Sequence, residues 1–235
     1  MKVGSLFAGI GGFDLGLERA GFEIAWLVEI DPYCQRVLAK HWPNVQRYGD
    51  IRSIDWATVP RIDMLCGGFP CQDLSFAGKR AGIDGERSGL WSEYVRAIRA
   101  LRPQYIIVEN VPGLLTNAYM GRVLGDLAAS GYDAEWDCLP AGAFGAQHWR
   151  DRVWILAYTA PIAATSLENL QTKRLPREFR RVPRGAWSCG MDQPPVVRRI
   201  HGVPVELDRY QGLGNAIVPQ IAEWLGRQIM SSETA

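Results

Sequence analysis

Asp63-Met64-Leu65-Cys66-Gly67-Gly68-Phe69-Pro70-Cys71-Gln72 is the stretch on which the reading of this chain turns. The apolar run up to Cys66 reads as the end of a buried strand. The two glycines allow a sharp turn, and Pro70 restricts the residue in front of it. A thiol is thereby presented on a rigid ledge at Cys71. A free cysteine with a pKa of about 8.5 is mostly protonated at neutral pH, so its reactivity must come from its position. Cys71 is followed by polar Gln72 and Asp73 and by a loop punctuated by Gly78, Gly82, Gly85 and Gly89, which reads as a lid beside a candidate nucleophile. Cys66, inside the apolar run, reads as packing.

Strand-like and helix-like segments alternate on both sides of this ledge. Val3 to Phe7 is apolar and breaks into Ala8-Gly9-Ile10-Gly11-Gly12, after which Phe13, Leu15, Leu17 and Ala20 support a helix. Such a glycine turn lets backbone amides approach a polar ligand, although it is not the full GxGxxG fingerprint. Ile24 to Val28 forms a second strand ending at Glu29. Asp31 before Pro32 is a capping carboxylate for the helix Pro32 to His41, which leaves Glu29 for ribose hydroxyls. Asp50 closes the strand Val45 to Tyr48, either as an acceptor for an adenine amino group or as a turn-forming aspartate. Leu90 to Leu101 is a core-facing helix. Tyr105 to Val108 is a continuous apolar run, as expected of a central parallel strand. It ends in Glu109, where lost hydration raises a carboxyl pKa. A helix is predicted over Met120 to Ser130 and strands over Ala134 to Leu139 and Arg152 to Tyr158, with Arg150 and Arg152 pointing to one side. Ile221, Trp224, Leu225 and Ile229 form the apolar stripe of a last helix that docks on the main body.

This alternation predicts an α/β fold of Rossmann type with a mostly parallel sheet, its ligands gathered at the carboxyl ends of the strands. A chain of 235 residues, 47% apolar, is long enough for one substantial core. The five cysteines are scattered and form no CxxC pair, and the three histidines lack ligand spacing. Both facts point to reduced thiols and to no metal site. The start shows no export signal and no run reaches the length of a membrane span, so a cytoplasmic protein without membrane contact is expected. The net charge of +1 conceals a basic stretch with Lys173, Arg174, Arg177, Arg180, Arg181 and Arg184, interleaved with Pro176, Phe179, Pro183 and Trp187. That mixture suits a phosphate backbone better than an amphipathic helix.

The order of these motifs resembles that of the DNA cytosine-5 methyltransferases, over residues 3–158 and 210–229. Ser5 to Phe13 is similar to the family's cofactor loop, Gly68 to Gln72 to its catalytic motif, and Glu109-Asn110-Val111 to its glutamate motif. His148-Trp149-Arg150-Asp151-Arg152 resembles its Gln-x-Arg-x-Arg motif with His148 in place of glutamine, and Gly214 to Gln220 resembles its last motif. The resemblance implies a bacterial or phage-encoded enzyme that takes S-adenosyl-L-methionine, leaves S-adenosyl-L-homocysteine, and acts on a cytosine flipped out of double-stranded DNA.

Phe7, Gly9 and Gly12, with Ala8 and Ile10, would surround the methionine part. Glu29 beside Ile30 would hold the ribose and Asp50 beside Ile51 the adenine, while Pro70, Asn215 and Ile217 complete the pocket. Cys71 would attack C6, Glu109 would bond N3, and Arg150 and Arg152 would steady the cytosine O2 and a flanking phosphate. Gln72, Ser75, Lys79, Arg174, Arg180, Arg181 and Arg184 are the expected DNA contacts. The domains implied are a catalytic and cofactor-binding body, 1–158 and 210–235, and a reduced target-recognition segment, 159–209. The irregular core of that segment, roughly 35 residues, is too short to fold alone. It would drape over the body and DNA, or be assisted by a second copy of the chain. The rival readings are cytosine methylation of transfer RNA and a non-catalytic nucleic-acid-binding subunit. A nicotinamide oxidoreductase would leave Pro70-Cys71-Gln72 and Glu109-Asn110-Val111 without purpose.

Overall fold

Seven strands form one sheet in a computed structural model that describes residues 1–70, 89–115, 118–146, 148–159 and 216–233. The strands are β1 (Lys2–Leu6), β2 (Glu23–Val28), β3 (Gln46–Tyr48), β4 (Met64–Gly67), β5 (Tyr105–Asn110), β6 (Tyr132–Pro140) and β7 (Asp151–Thr159), in the order β3-β2-β1-β4-β5-β7-β6. β1 to β5 pair in parallel; β7 runs antiparallel to both β5 and β6. The helices are α1 (Gly12–Arg19), α2 (Pro32–His41), α3 (Leu90–Leu101), α4 (Ala118–Ala129) and α5 (Pro219–Glu233). Among the described residues no helix is long and apolar enough to cross a membrane.

All six residues of β5 are buried because both sheet faces are covered. Ile106 and Val108 join one core with Trp91, Tyr94 and Ile98 of α3 and Val123 and Leu127 of α4. Tyr105 and Ile107 face the other way, into a core with Phe13 and Leu17 of α1, Leu38 of α2 and Ile221 and Leu225 of α5. This alternation is the period of two of an extended chain.

Two of the boundaries that differ from the sequence reading bear on the site. Phe7 lies outside β1 because its φ of 53° is left-handed and breaks the ladder after Leu6. Glu109 is not at a strand tip; it lies within β5, paired with Trp154, because antiparallel β7 extends the ladder to Asn110. The last helix docks where expected, with Ile221, Leu225 and Ile229 buried, whereas Trp224 is only partly buried, against Phe144.

Small residues allow α1 and α5 to meet backbone to side. A methyl group at Gly16 would stand 2.3 Å from the Pro219 carbonyl oxygen and 2.7 Å from Ala222 Cβ. Alanine in a helix is favoured over glycine by about 1 kcal/mol, but overpacking costs about 1–3 kcal/mol, and here the obstacle is backbone. Gly16→Ala is therefore expected to lower the thermal unfolding midpoint, and a rise would show that the helices can separate freely.

Candidate active site

The glycine turn after β1 is built from left-handed residues, Phe7, Gly9 at φ 57° and Gly11 at φ 87°. Ala8 N–H donates to the Val28 carbonyl, and Gly9 N–H donates to Glu29 Oε2 at 2.7 Å. Glu29 Oε1 accepts from Asp31 N–H at 2.8 Å, while Asp31 caps α2 by accepting from Tyr33 and Cys34 N–H. The expected division of labour between the two acids is thus corrected in part. Asp31 is the cap, but Glu29 is not left to a ligand alone, since each of its oxygens anchors a backbone amide. A carboxylate oxygen accepts more than one bond, so acceptor capacity remains.

Around this turn, a side chain at Gly9 would meet nothing within 4 Å, and Ile30 is 60% exposed, an apolar surface beside Glu29. Ala8 is buried and Ile10 half-buried. Ile217 closes the other side: its carbonyl would stand 2.3 Å from a methyl group at Gly12, and its Cδ1 3.7 Å from one at Gly68.

Asp50 performs the turn role that the sequence left open. It caps the short 3-10 turn Ile51–Ser53 through Arg52 N–H at 3.0 Å, and the Arg52 guanidinium grips both of its oxygens at 2.6–3.0 Å. Those bonds from Arg52 hold its carboxyl below the usual value.

Glu109 is buried, at 8% exposure, and ion-paired with Arg152, whose Nε stands 3.0 Å from Oε1. Burial pushes its pKa up to about 7 against the opposing pull of Arg152 and then Arg150. Gly68 is needed here, since a methyl group on it would stand 2.7 Å from Glu109 Oε2. Arg150, at a left-handed φ of 37°, donates through Nη2 to the Ala216 carbonyl at 2.8 Å, joining this corner to the segment that leads into α5. His148 is exposed and Trp149 is 40% exposed.

Asn110, which the sequence offered only as part of a motif, is a clamp. Its Nδ2 donates to the Phe69 carbonyl at 3.1 Å and its Oδ1 accepts from Val111 N–H, so the end of β5 fixes the ledge before Cys71. Pro70 is the last described residue of that ledge and is half-buried. Cys71, Gln72, Ser75, Lys79, Arg174, Arg180, Arg181, Arg184 and Asn215 lie outside the described residues, as do most of the expected lid and of the segment 159–209.

Below the glycine turn sits an acid that sequence reading passed over. Asp14 is fully buried on α1, facing Ser5 of β1 and Cys66 of β4, which are register partners. Ser5 moderates its charge, yet neither carboxylate oxygen has a partner of full hydrogen-bond geometry. Burial raises its pKa to about 7. Burial, then Asp14, pushes the Cys66 thiol well above its ordinary value, so this cysteine is inert packing. A signal for Asp14 was present in its spacing: it falls on the same helical face as Phe13 and Leu17.

A sheet in the order β3-β2-β1-β4-β5-β7-β6, with a glycine turn after β1, is the α/β fold of methyltransferase type. Residues 1–202 match the family of the C-5 cytosine-specific DNA methylases, and the chain belongs to that family. The type II methyltransferase M2.BsuMI of Bacillus subtilis is 41% identical over 167 residues, 67% of this chain and 42% of the relative. M.NlaIV of Neisseria lactamica is 35% identical over 191 residues, 74% of this chain and 45% of the relative. The chain thus spans less than half the length of these relatives. A crystal structure described as a DNA modification methyltransferase encoded within an E. coli prophage superposes with a TM-score of 0.60 at 27% identity, over 69% of this chain and 48% of that one. The S. pombe Dnmt2 methyltransferase shares the fold, with a TM-score of 0.57 at 21% identity, over 68% and 51% of the two chains.

The Asp14 carboxyl has a folded pKa of about 7 against an ordinary 3.8. Between those values the folded chain holds a proton that the unfolded chain has lost, so stability falls as pH rises through this window. Asp14→Asn removes that dependence. The thermal midpoint of the wild type should therefore fall more than that of the variant between about pH 5 and about pH 8; parallel curves would show that Asp14 is ionised throughout.

Proposed function

We propose that the chain transfers a methyl group from S-adenosyl-L-methionine to C5 of a cytosine in double-stranded DNA, through a covalent bond between Cys71 and C6. The observation that carries this reading is Glu109, buried against Arg152 and pushed up to a pKa of about 7, next to the glycine ledge that delivers Cys71. The residues present fit the cofactor. The turn at Gly9 leaves open space, Glu29 is fixed beside it with acceptor capacity remaining, and Ile30 offers an exposed apolar face for a purine. When bound, the cofactor supplies an electrophilic methyl group.

The chain's own residues do the rest. C5 of cytosine is a poor nucleophile, and the base must leave the stack before either carbon can be reached. The Cys71 thiolate forms the C6–S bond, and the ring electrons displaced from the C5–C6 double bond are drawn toward N3. Glu109, able to hold a proton near neutral pH, donates it to N3, so no uncompensated charge builds up on the buried ring. The neutral ring is then an enamine whose C5 accepts the methyl group. Loss of the C5 proton to a base re-forms the C5–C6 double bond as the C6–S bond breaks and the thiolate leaves, and the N3 proton returns to Glu109, so that a neutral 5-methylcytosine is released.

Arg152 holds Glu109 in place, and in this reading both arginines also face the cytosine O2 and its flanking phosphate. Residues 1–158 and 210–235 form the catalytic body. The segment 159–209, with Arg174, Arg180, Arg181 and Arg184, meets DNA together with Gln72, Ser75 and Lys79, reading a short site alone or with a second copy. A soluble bacterial or phage cytoplasm is the setting this chemistry implies.

The test is transfer of labelled methyl to duplex DNA and, in parallel, to transfer RNA. Label in DNA is expected from the wild type, background from Cys71→Ser, and a rate lowered by about 10²–10⁴ from Glu109→Gln, which cannot donate the proton. Label in RNA alone would move the substrate, and label in neither would leave a binding subunit.

A further inference from the structure

The 3-10 turn Ile51–Ser53 that carries Asp50 and Ile51 follows a strand of only three residues at the edge of the sheet. Such a turn has poor hydrogen-bond geometry of its own: Ile54 N–H reaches the Ile51 carbonyl only at 3.4 Å. The carbonyls of the turn and of its C-cap Ile54 are bonded from across the domain by Arg96 of α3. Its Nη1 donates to the Ile54 carbonyl at 3.0 Å, and its Nη2 to the Ile51 carbonyl at 2.9 Å and the Arg52 carbonyl at 3.4 Å. Nε is held by Glu93 at 2.7 Å, and the guanidinium lies 5.9 Å over the ring of buried Trp56. A planar fork of five donors can serve three carbonyls and a carboxylate at once, and a lysine cannot.

The surface ion pair with Glu93 is by itself worth little, so what Arg96 accomplishes is to fix the turn. The turn in turn fixes Asp50, which is half-buried and whose carboxylate is held by its own neighbour Arg52.

We propose that Arg96 is a positioning residue for recognition of the cofactor's adenine: it touches no ligand, and it sets the Asp50–Ile51 turn against the purine edge that carries the amino group. The inference rests on the cofactor reading above. It assigns to α3 a part in selecting 6-aminopurine over 6-oxopurine nucleosides.

The experiment is calorimetric binding of S-adenosylhomocysteine and of S-inosylhomocysteine, which carries an oxo group in place of the amino group. The proteins are the wild type, Arg96→Ala, Arg96→Lys and Arg99→Ala, with folding checked by circular dichroism. Tighter binding of the adenosyl compound is expected in the wild type and in Arg99→Ala. In Arg96→Ala the adenosyl affinity should fall by about tenfold with little change for the inosyl compound, as when a bond to a charged group loses its geometry. Arg96→Lys should recover part of the preference, and it carries the comparison if the alanine variant does not fold. An unchanged ratio in a folded variant, or equal weakening of both compounds, overturns the role of Arg96 and leaves the cofactor reading intact. No binding of S-adenosylhomocysteine by the wild type overturns both.

Discussion

Glu109 can be kept buried only because the sheet changes direction beside it. In a wholly parallel sheet a carboxylate at this level would lie at the open carboxyl edge, in water. Here β7 returns antiparallel along β5, covers Glu109 with Trp154 and brings Arg152 to 3.0 Å from its oxygen. A charge so placed is costly without a partner, and the arginine lowers that cost without cancelling it. The outcome is a carboxyl poised near neutrality, as the proposed proton transfer to a ring nitrogen requires.

The ledge before Cys71 depends on the same corner. Gly68 must lack a side chain because Glu109 occupies the space one would fill, and Asn110 holds the Phe69 carbonyl. Ile217 packs against Gly12 on one side and Gly68 on the other, so the return segment before α5 touches both the glycine turn after β1 and the ledge before Cys71. Arg150 reinforces this closure through the Ala216 carbonyl. The glycine turn after β1, Glu109 and the ledge before Cys71 are therefore joined by close approaches, and Gly12 and Gly68 provide the room for those of Ile217 and Glu109.

The acids at the carboxyl edge divide between ligand and scaffold less cleanly than their sequence positions imply. Glu29 anchors two amides and Asp50 caps a turn while gripped by Arg52, so both are oriented before any ligand arrives. Pre-orientation of this kind lowers the ordering cost of binding. Asp14 differs in kind: it faces Ser5 and Cys66 inside the core, and burial rather than a partner sets its charge.

By itself the sequence determined the elements and their alternation, because apolar periodicity is local and burial on both faces leaves an unbroken run such as Tyr105 to Val108. It also determined the order of the motifs, and through them the family, because Pro70-Cys71-Gln72, Glu109-Asn110 and the two arginines are contiguous in the chain. Only the tertiary structure decided which carboxylate is ion-paired, which caps and which lies unpartnered in the core. Arg152 and Glu109 are 43 residues apart in number and Arg96 and Ile51 are 45 apart. Their meeting depends on the order β1-β4-β5-β7 and on the packing of α3, which no local pattern encodes.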